Sequence, residues 1–342
     1  MNRRLRKKIW ICGDVLMDIF PFFRRPQLGL KMALLSDRFD VLVDTHFDDK
    51  TTELTIWRPI GIRKGIGPKP KLSVRIDGKF VDFPLPDRPL PNRIRFENLW
   101  IERIDHSVIE FLRSNKQIWD RIGTKLDFTV NSSDGIESDV QPIWDVFTSE
   151  IWPVFATNIR RLDFDDGDHL DNLRRLISPT ILTDLDQLNS IDSCILCPDG
   201  IADDGPNATV GQALTKWLHT PTTDGQPKRL FFENNDAEVI LNWVNSFKEA
   251  FFRATTSVSY KIRLQLYGST PIEPFELENE RTKEKLTLLL VEEAVGEDGY
   301  NKYTKKWLLK RCPISEKAAA IQWENDDNLN NVRFIFGMAA LI

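Results

Sequence analysis

Apolar side chains recur at helical spacing over the first fifty residues and then give way to short alternating runs. Val15, Leu16, Ile19 and Phe20, followed by Phe22 and Phe23, predict one helix, with Asp14 as its N-cap. Pro21 should end or kink that helix, because proline has no amide donor and crowds the preceding turn. Pro26 favours the first position of a second helix, which carries Leu28, Leu30, Met32, Leu34 and Leu35. Ser36 can cap a third, with Phe39, Leu42 and Val43. Roughly forty residues cannot bury so many large apolar groups among themselves. Some must face a partner or the rest of the chain.

Residues 48–92 predict extended segments. ELTIW and KLSVRID have strand character, RKGIGPKPK is a loop, and PLPDRPLPN carries too much proline for helix or central strand. Over 93–270, strand-like triplets recur: IRF, LDF, LDF, CIL, LFF and LQL begin at residues 94, 126, 162, 194, 230 and 264. Helical stretches lie between them, HSVIEFLRSNKQIWD and AEVILNWVNSFKEAFFRAT among them. A strand, a helix and a return to a parallel strand is a right-handed unit, and such units at near-constant spacing can stack into a solenoid. An open parallel sheet would give similar alternation; the solenoid is the favoured reading. From residue 271 to 342 the pattern changes. FELEN and KLTLLLVEE predict a hairpin, KKWLLKRCPI a third strand, and FIFGMAALI an apolar end.

Strand alternation then divides the side chains. Leu126, Phe128, Leu162, Phe164, Leu230, Phe232, Leu264 and Leu266 should point into the core. Arg95, Asp127, Arg161, Asp163, Arg229, Phe231, Glu233, Arg263 and Tyr267 should project from the opposite face. Arg, Phe and Tyr are residue types that concentrate binding energy, so this strip is the candidate target-binding surface; a solvated face with internal charge pairing is the plainer alternative.

Two resemblances follow. The repeats resemble leucine-rich repeats, with Ile159, Leu162 and Phe164, and Ile191, Cys194 and Leu196, meeting the LxxLxL core, and Asn131 and Asn235 standing for its characteristic asparagine. Residues 9–47 resemble the F-box: Ile11, Asp14, Leu16, Ile19 and Phe20 fit its first half, and Leu35, Ser36, Arg38, Phe39 and Leu42 its second, with Cys12 where the family has proline. The chain as a whole is similar to a nematode-type group of F-box proteins in which LLSDRFDVLVD and WLLKRCPI recur. The resemblance implies an α/β protein with a three-helix F-box-like module at 9–47, a degenerate leucine-rich-repeat-like β-α solenoid and a C-terminal β-hairpin unit. It implies a non-enzymatic substrate receptor of a Skp1-cullin-F-box ubiquitin ligase. Leu16, Ile19, Phe20, Leu28, Leu30, Phe39 and Leu42 would touch a Skp1-like adaptor, and through it a cullin, while the repeats hold a protein target. The alternatives are a scaffold whose F-box no longer binds the adaptor, a purely structural helical cap, and an α/β enzyme.

Composition narrows this modestly. A net charge of −5 argues against wholesale nucleic-acid binding. No apolar run is long enough for a membrane span, and the basic start NRRLRKK lacks a cleavage site, so an intracellular protein is expected, cytoplasmic, with nuclear import compatible with that start. Cys194 and Cys197 have CxxC spacing but no second pair, and DFDDGDHLDN places Gly167 one position early for a calcium loop, so neither metal nor cofactor is expected. GxSxG, HExxH and phosphate-loop patterns do not occur.

Overall fold

The computed structural model describes the chain apart from residues 1–10, 49–53, 57–59, 65–69, 77–78, 92–93, 97–98, 103, 131–140, 166, 194–195, 235, 268–271, 295–303, 316–329 and 337–342. Three short helices open it: α1 (Gly13–Ile19), α2 (Arg25–Gln27) and α3 (Asp37–Asp48). α1 tightens into a 3-10 turn over Phe20–Phe22, where Pro21 sits, and α2 has Pro26 in its first turn, one residue after its start, and runs on through irregular turns to Leu35. Ser36 Oγ accepts from the Phe39 amide at 3.4 Å, as an N-cap of α3 should. Asp14 is not the cap of α1. Cys12 occupies that position and bonds no amide through its side chain, and Asp14 lies in the first turn, where its charge suits the helix dipole.

The remainder is mixed α/β. In chain order come β1 (Leu54–Ile56), β2 (Ile60–Lys64), β3 (Pro70–Ile76), β4 (Lys79–Pro84), β5 (Ile94–Phe96), β6 (Leu99–Ile101), α4 (His106–Ser114), α5 (Lys116–Ile122) and β7 (Thr124–Val130). Then follow α6 (Gln141–Val146), α7 (Trp152–Phe155), β8 (Ile159–Phe164), α8 (Gly167–Leu176), α9 (Ile181–Asp184), β9 (Ser190–Ser193), α10 (Val210–Leu218), β10 (Lys228–Asn234), α11 (Ala237–Arg253) and β11 (Tyr260–Tyr267). β12 (Phe275–Asn279), β13 (Glu284–Ala294), β14 (Thr304–Pro313) and β15 (Asn330–Phe336) complete the described chain.

Thirteen of these strands form one sheet, ordered β12-β13-β14-β11-β10-β9-β8-β7-β15-β6-β2-β3-β4. The run from β2 to β11 is parallel, and antiparallel strands finish both ends. β7 to β11 lie side by side in sequence order, with helix between each pair. The segments read separately as 48–92, 93–270 and 271–342 thus contribute to one continuous sheet, closed into no barrel.

Two strand assignments need correction, and the apolar end, expected to pack on the core or stay loose, supplies a strand. IRF is β5, which pairs with β1 in a separate two-stranded sheet, and β6 takes the place expected of it. The strand expected at 194–196 is Ser190–Ser193, since Ile191 supplies the buried apolar position that pairs with both Leu162 and Leu230. The apolar C-terminus supplies β15, which inserts between β6 and β7 and buries Val332 and Phe334. Asn131, Asn235 and Cys194 lie outside the described residues.

Leu126, Phe128, Leu162, Phe164, Leu230, Phe232, Leu264 and Leu266 are all buried, as alternation requires. Phe128 stacks on Phe164 and on Trp144 of α6, and Trp243 of α11 meets Phe232 edge-on, so the helices cover this face. The expected helix over HSVIEFLRSNKQIWD is split at Asn115, whose buried amide donates to the Phe111 carbonyl at 2.7 Å and accepts from the Leu90 amide at 2.8 Å. The first bond satisfies a carbonyl that a continuous helix would have paired with the Asn115 amide, and the second ties the break to the connector before β5. Among the described residues no helix is long and apolar enough to cross a membrane.

Candidate functional site

The face of the sheet that helices leave open carries a single register row. Reading across neighbouring strands, it runs Trp100, Arg333, Asp127, Asp163, Asp192, Phe231, Arg263, Leu308 and Leu289. Residues two positions apart on a strand share a face, which brings Lys125, Arg161, Arg229, Glu233, Gln265 and Tyr267 onto the same side.

The row is chemically graded. At its first end three aspartates stand on three adjacent strands, a costly arrangement unless each is neutralised. Arg333 grips Asp127 with Nε at 2.8 Å and Nη2 at 2.5 Å. Lys125 Nζ lies 2.6 Å from Asp163 Oδ2, and Arg161 bonds Asp192. Asp127 is only 1% exposed and Asp192 is buried as well. Burial pushes the Asp127 carboxyl above the usual carboxylate range, the neighbouring Asp163 charge adds to that, and Arg333 opposes it without overcoming it. Burial likewise raises Asp192 against the pull of Arg161. One oxygen of Asp192 and Nε of Arg161 are buried with no hydrogen-bond partner.

Toward the other end the row turns aromatic and apolar. The Arg263 guanidinium sits 5.9 Å from the centre of the Phe231 ring. Tyr267 donates its hydroxyl to Glu233 at 2.8 Å and accepts from Gln265 at 2.6 Å. Leu289 is exposed, and Phe231, Arg263 and Tyr267 are half-buried, so flat side chains are held in place yet open to a partner.

Of the residues expected on this strip, Asp127, Arg161, Asp163, Arg229, Phe231, Glu233, Arg263 and Tyr267 all lie on strands of the large sheet. Arg95 does not, because β5 pairs with β1. Sequence reasoning missed Arg333, whose strand comes from the far end of the chain, and Asp192, whose strand was set too late. It also passed over Lys125 and Trp100. Lys125 was legible, two residues before Asp127 in a strand already recognised.

The N-terminal helices present a second surface. Ile11, Val15, Ile19 and Phe22 make an exposed apolar stripe along this stretch of chain: Val15 and Ile19, four apart, share one side of α1, Ile11 lies ahead of its N-cap, and Phe22, 87% accessible, ends the 3-10 turn that follows. Leu35 and Val41 are exposed as well. Arg38 Nη2 donates to the Ile11 carbonyl at 2.6 Å, fixing α3 against the start of this stripe. The expected adaptor contacts divide differently from the reading above. Ile19 is at the surface, and Phe39 and Leu42 are half-buried. Leu16, Phe20, Leu28 and Leu30 are buried: these are the side chains that hold the three helices together, Phe20 meeting His46 edge-on. A family pattern marks apolar positions without saying which face the core takes. Arg88 joins this unit to the rest, bonding the Leu34 carbonyl at 3.4 Å and the Asp37 carboxylate.

No family model matches the chain, and neither the curated proteins nor the solved structures contain a match.

Proposed function

We propose that this protein is a substrate receptor, docking a Skp1-like adaptor of a cullin ubiquitin ligase through its N-terminal helices and a target protein through the open face of its sheet. The observation that carries the reading is the exposed stripe of Ile11, Val15, Ile19 and Phe22 on a helical unit already well packed without them. Large apolar groups gathered at one short helix and left in water mark a protein contact. Ile11 and Ile19 belong to the F-box-like pattern, which points to the adaptor. Phe22 and Ile19 are the central contacts, with Leu35 and Val41 beside them.

The consecutive order of β7 to β11 supports an irregular leucine-rich-repeat-like solenoid whose open face holds the target. Within that face the aspartate row is self-neutralised and contributes little net attraction. Phe231, Arg263 and Tyr267 carry the affinity.

The test is co-purification with a Skp1-like adaptor of the full chain, of Ile19→Asp with Phe22→Asp, and of a chain lacking residues 1 to 50. Binding by the parent and loss in both variants, with circular dichroism of the double variant unchanged, is the expected result. An intact, folded chain that does not bind the adaptor would leave a repeat scaffold with a helical cap.

A further inference from the structure

A thirteen-stranded sheet that is not closed ends on two edge strands, and β4 is one of them, with β3 as its neighbour on one side and no described strand on the other. Such edges offer unpaired amides and carbonyls to any extended chain, and proteins blunt them with lysine, proline or a bulge. β4 has Lys79 at one end and Pro84 at the other, and between them the one charge is Asp82, which lies 3.9 Å from Lys71 of β3. Phe80 is 50% exposed and Val81 39%, against 7% for Phe83. The Arg63 guanidinium lies 4.8 Å from the centre of the Phe80 ring and props it outward.

Next to this edge lies a groove of about 1030 Å³, as large as the largest small-molecule pockets. One wall is the end of β4 with the connector Leu85–Asp87. The other is α4, which turns Ser107, Glu110, Phe111, Arg113 and Ser114 toward it, one side of a helix. An open edge with a helix across a trough is the geometry that receives an added strand. The charges in the trough select its occupant. The two cations that line the trough are both engaged: Lys71 sits 3.9 Å from Asp82, and Arg113 bonds Glu150, which lies outside the lining. Asp87 has no ion-pair partner among the described residues, and Glu110 faces only His106, at 3.4 Å. Two carboxylates are therefore left to attract cations.

We propose that β4 and this groove take up an extended basic stretch of a partner protein, which pairs with β4 as an additional strand and sets Lys or Arg side chains against Asp87 and Glu110. This goes beyond the receptor reading and does not depend on it, since neither the adaptor stripe nor the open sheet face is involved.

The experiment uses the full chain and a labelled short peptide of alternating Val and Lys, with a Val and Glu peptide as control, followed by fluorescence anisotropy and hydrogen exchange. The basic peptide should bind, the acidic one should not, and every second amide over residues 80–83, those that do not already bond β3, should gain protection on binding. Asp87→Lys with Glu110→Lys should weaken binding roughly tenfold or more, since both attractive charges become repulsive. Equal binding of the two peptides, or no new protection on β4, overturns the proposal. So does tighter binding by a chain lacking residues 1–10, which would assign the groove to this chain's own basic start. A concentration-dependent dimer competing with the peptide would assign it to a second copy.

Discussion

Replacing Phe334 by alanine tests whether the last strand belongs in the middle of the sheet. Phe334 is fully buried, its ring centre 5.1 Å from Phe147 in an edge-on contact, 6.2 Å from Phe155 and 6.4 Å from Phe128. A phenylalanine buries on the order of 175 Å², which at about 25 cal/mol per Å² corresponds to roughly 4 kcal/mol. The edge-on contact with Phe147 adds about 1 kcal/mol, and the cavity relaxes only in part because β6 and β7 flank it, so Phe334→Ala should cost about 4–5 kcal/mol. Urea unfolding followed by tryptophan fluorescence measures this, since Trp144 and Trp152 both border Phe147. Phe22→Ala is the control: Phe22 is almost fully exposed and should change stability by less than about 0.5 kcal/mol. A Phe334→Ala midpoint that moves no more than that of Phe22→Ala would refute the insertion of β15 between β6 and β7.

Arg333→Ala leaves the Asp127 carboxylate buried without its main cation, and should destabilise by roughly 2 kcal/mol or more at neutral pH. Adding Asp127→Asn should recover part of that loss, and no recovery in a double-mutant cycle would deny the pairing. Phe231→Ala and Tyr267→Ala should weaken target capture at least tenfold in quantitative pull-downs while unfolding midpoints shift by under about 1 kcal/mol; loss of the fold would sink the role of that strip. His219 is held neutral by burial, aided by the nearby Arg311 charge, with its pKa brought down to about 4. The unfolded chain therefore binds a proton near pH 6.5 that the folded chain refuses until about pH 4, so stability falls as pH is lowered through that window, by about 3 kcal/mol in all. His219→Gln should flatten the profile of unfolding free energy against pH there, and an unchanged slope would count against the burial of this imidazole.

The sequence carried the local chemistry well and the long-range pairing poorly. Pro21, Pro26 and Ser36 each marked a helix boundary, because the constraint lies in the residue itself. Alternation separated buried Leu126, Leu162, Leu230 and Leu264 from outward Asp127, Asp163, Phe231 and Gln265, because period two is intrinsic to a strand. What no local pattern holds is which strands become neighbours. The contact between Arg333 and Asp127 joins residues 206 apart in the chain, and the apolar run around Phe334 reads equally as a loose end or a central strand. The same blindness applied to the helical unit. Leu16 and Ile19 are both apolar positions on α1, and only packing against α3 decides that the first is core and the second surface.

The late strand also determines the character of the open face. Asp127 lies between Arg333 on β15 and Asp163 on β8, in one row. Without β15 its carboxylate would keep the repulsion of Asp163 and lose the guanidinium that offsets it. β7 would meanwhile become a sheet edge, with Phe128 losing its contact with Phe334 on the other side. The open face is thus completed by a strand whose Arg333 lies 206 residues further along the chain than its partner Asp127 on β7, and β6 and β7 are joined only through it. If the open face holds a target as proposed, removal of β15 (Asn330–Phe336) should abolish target capture even where the N-terminal helices are intact, and capture that survives this removal would deny the face that role.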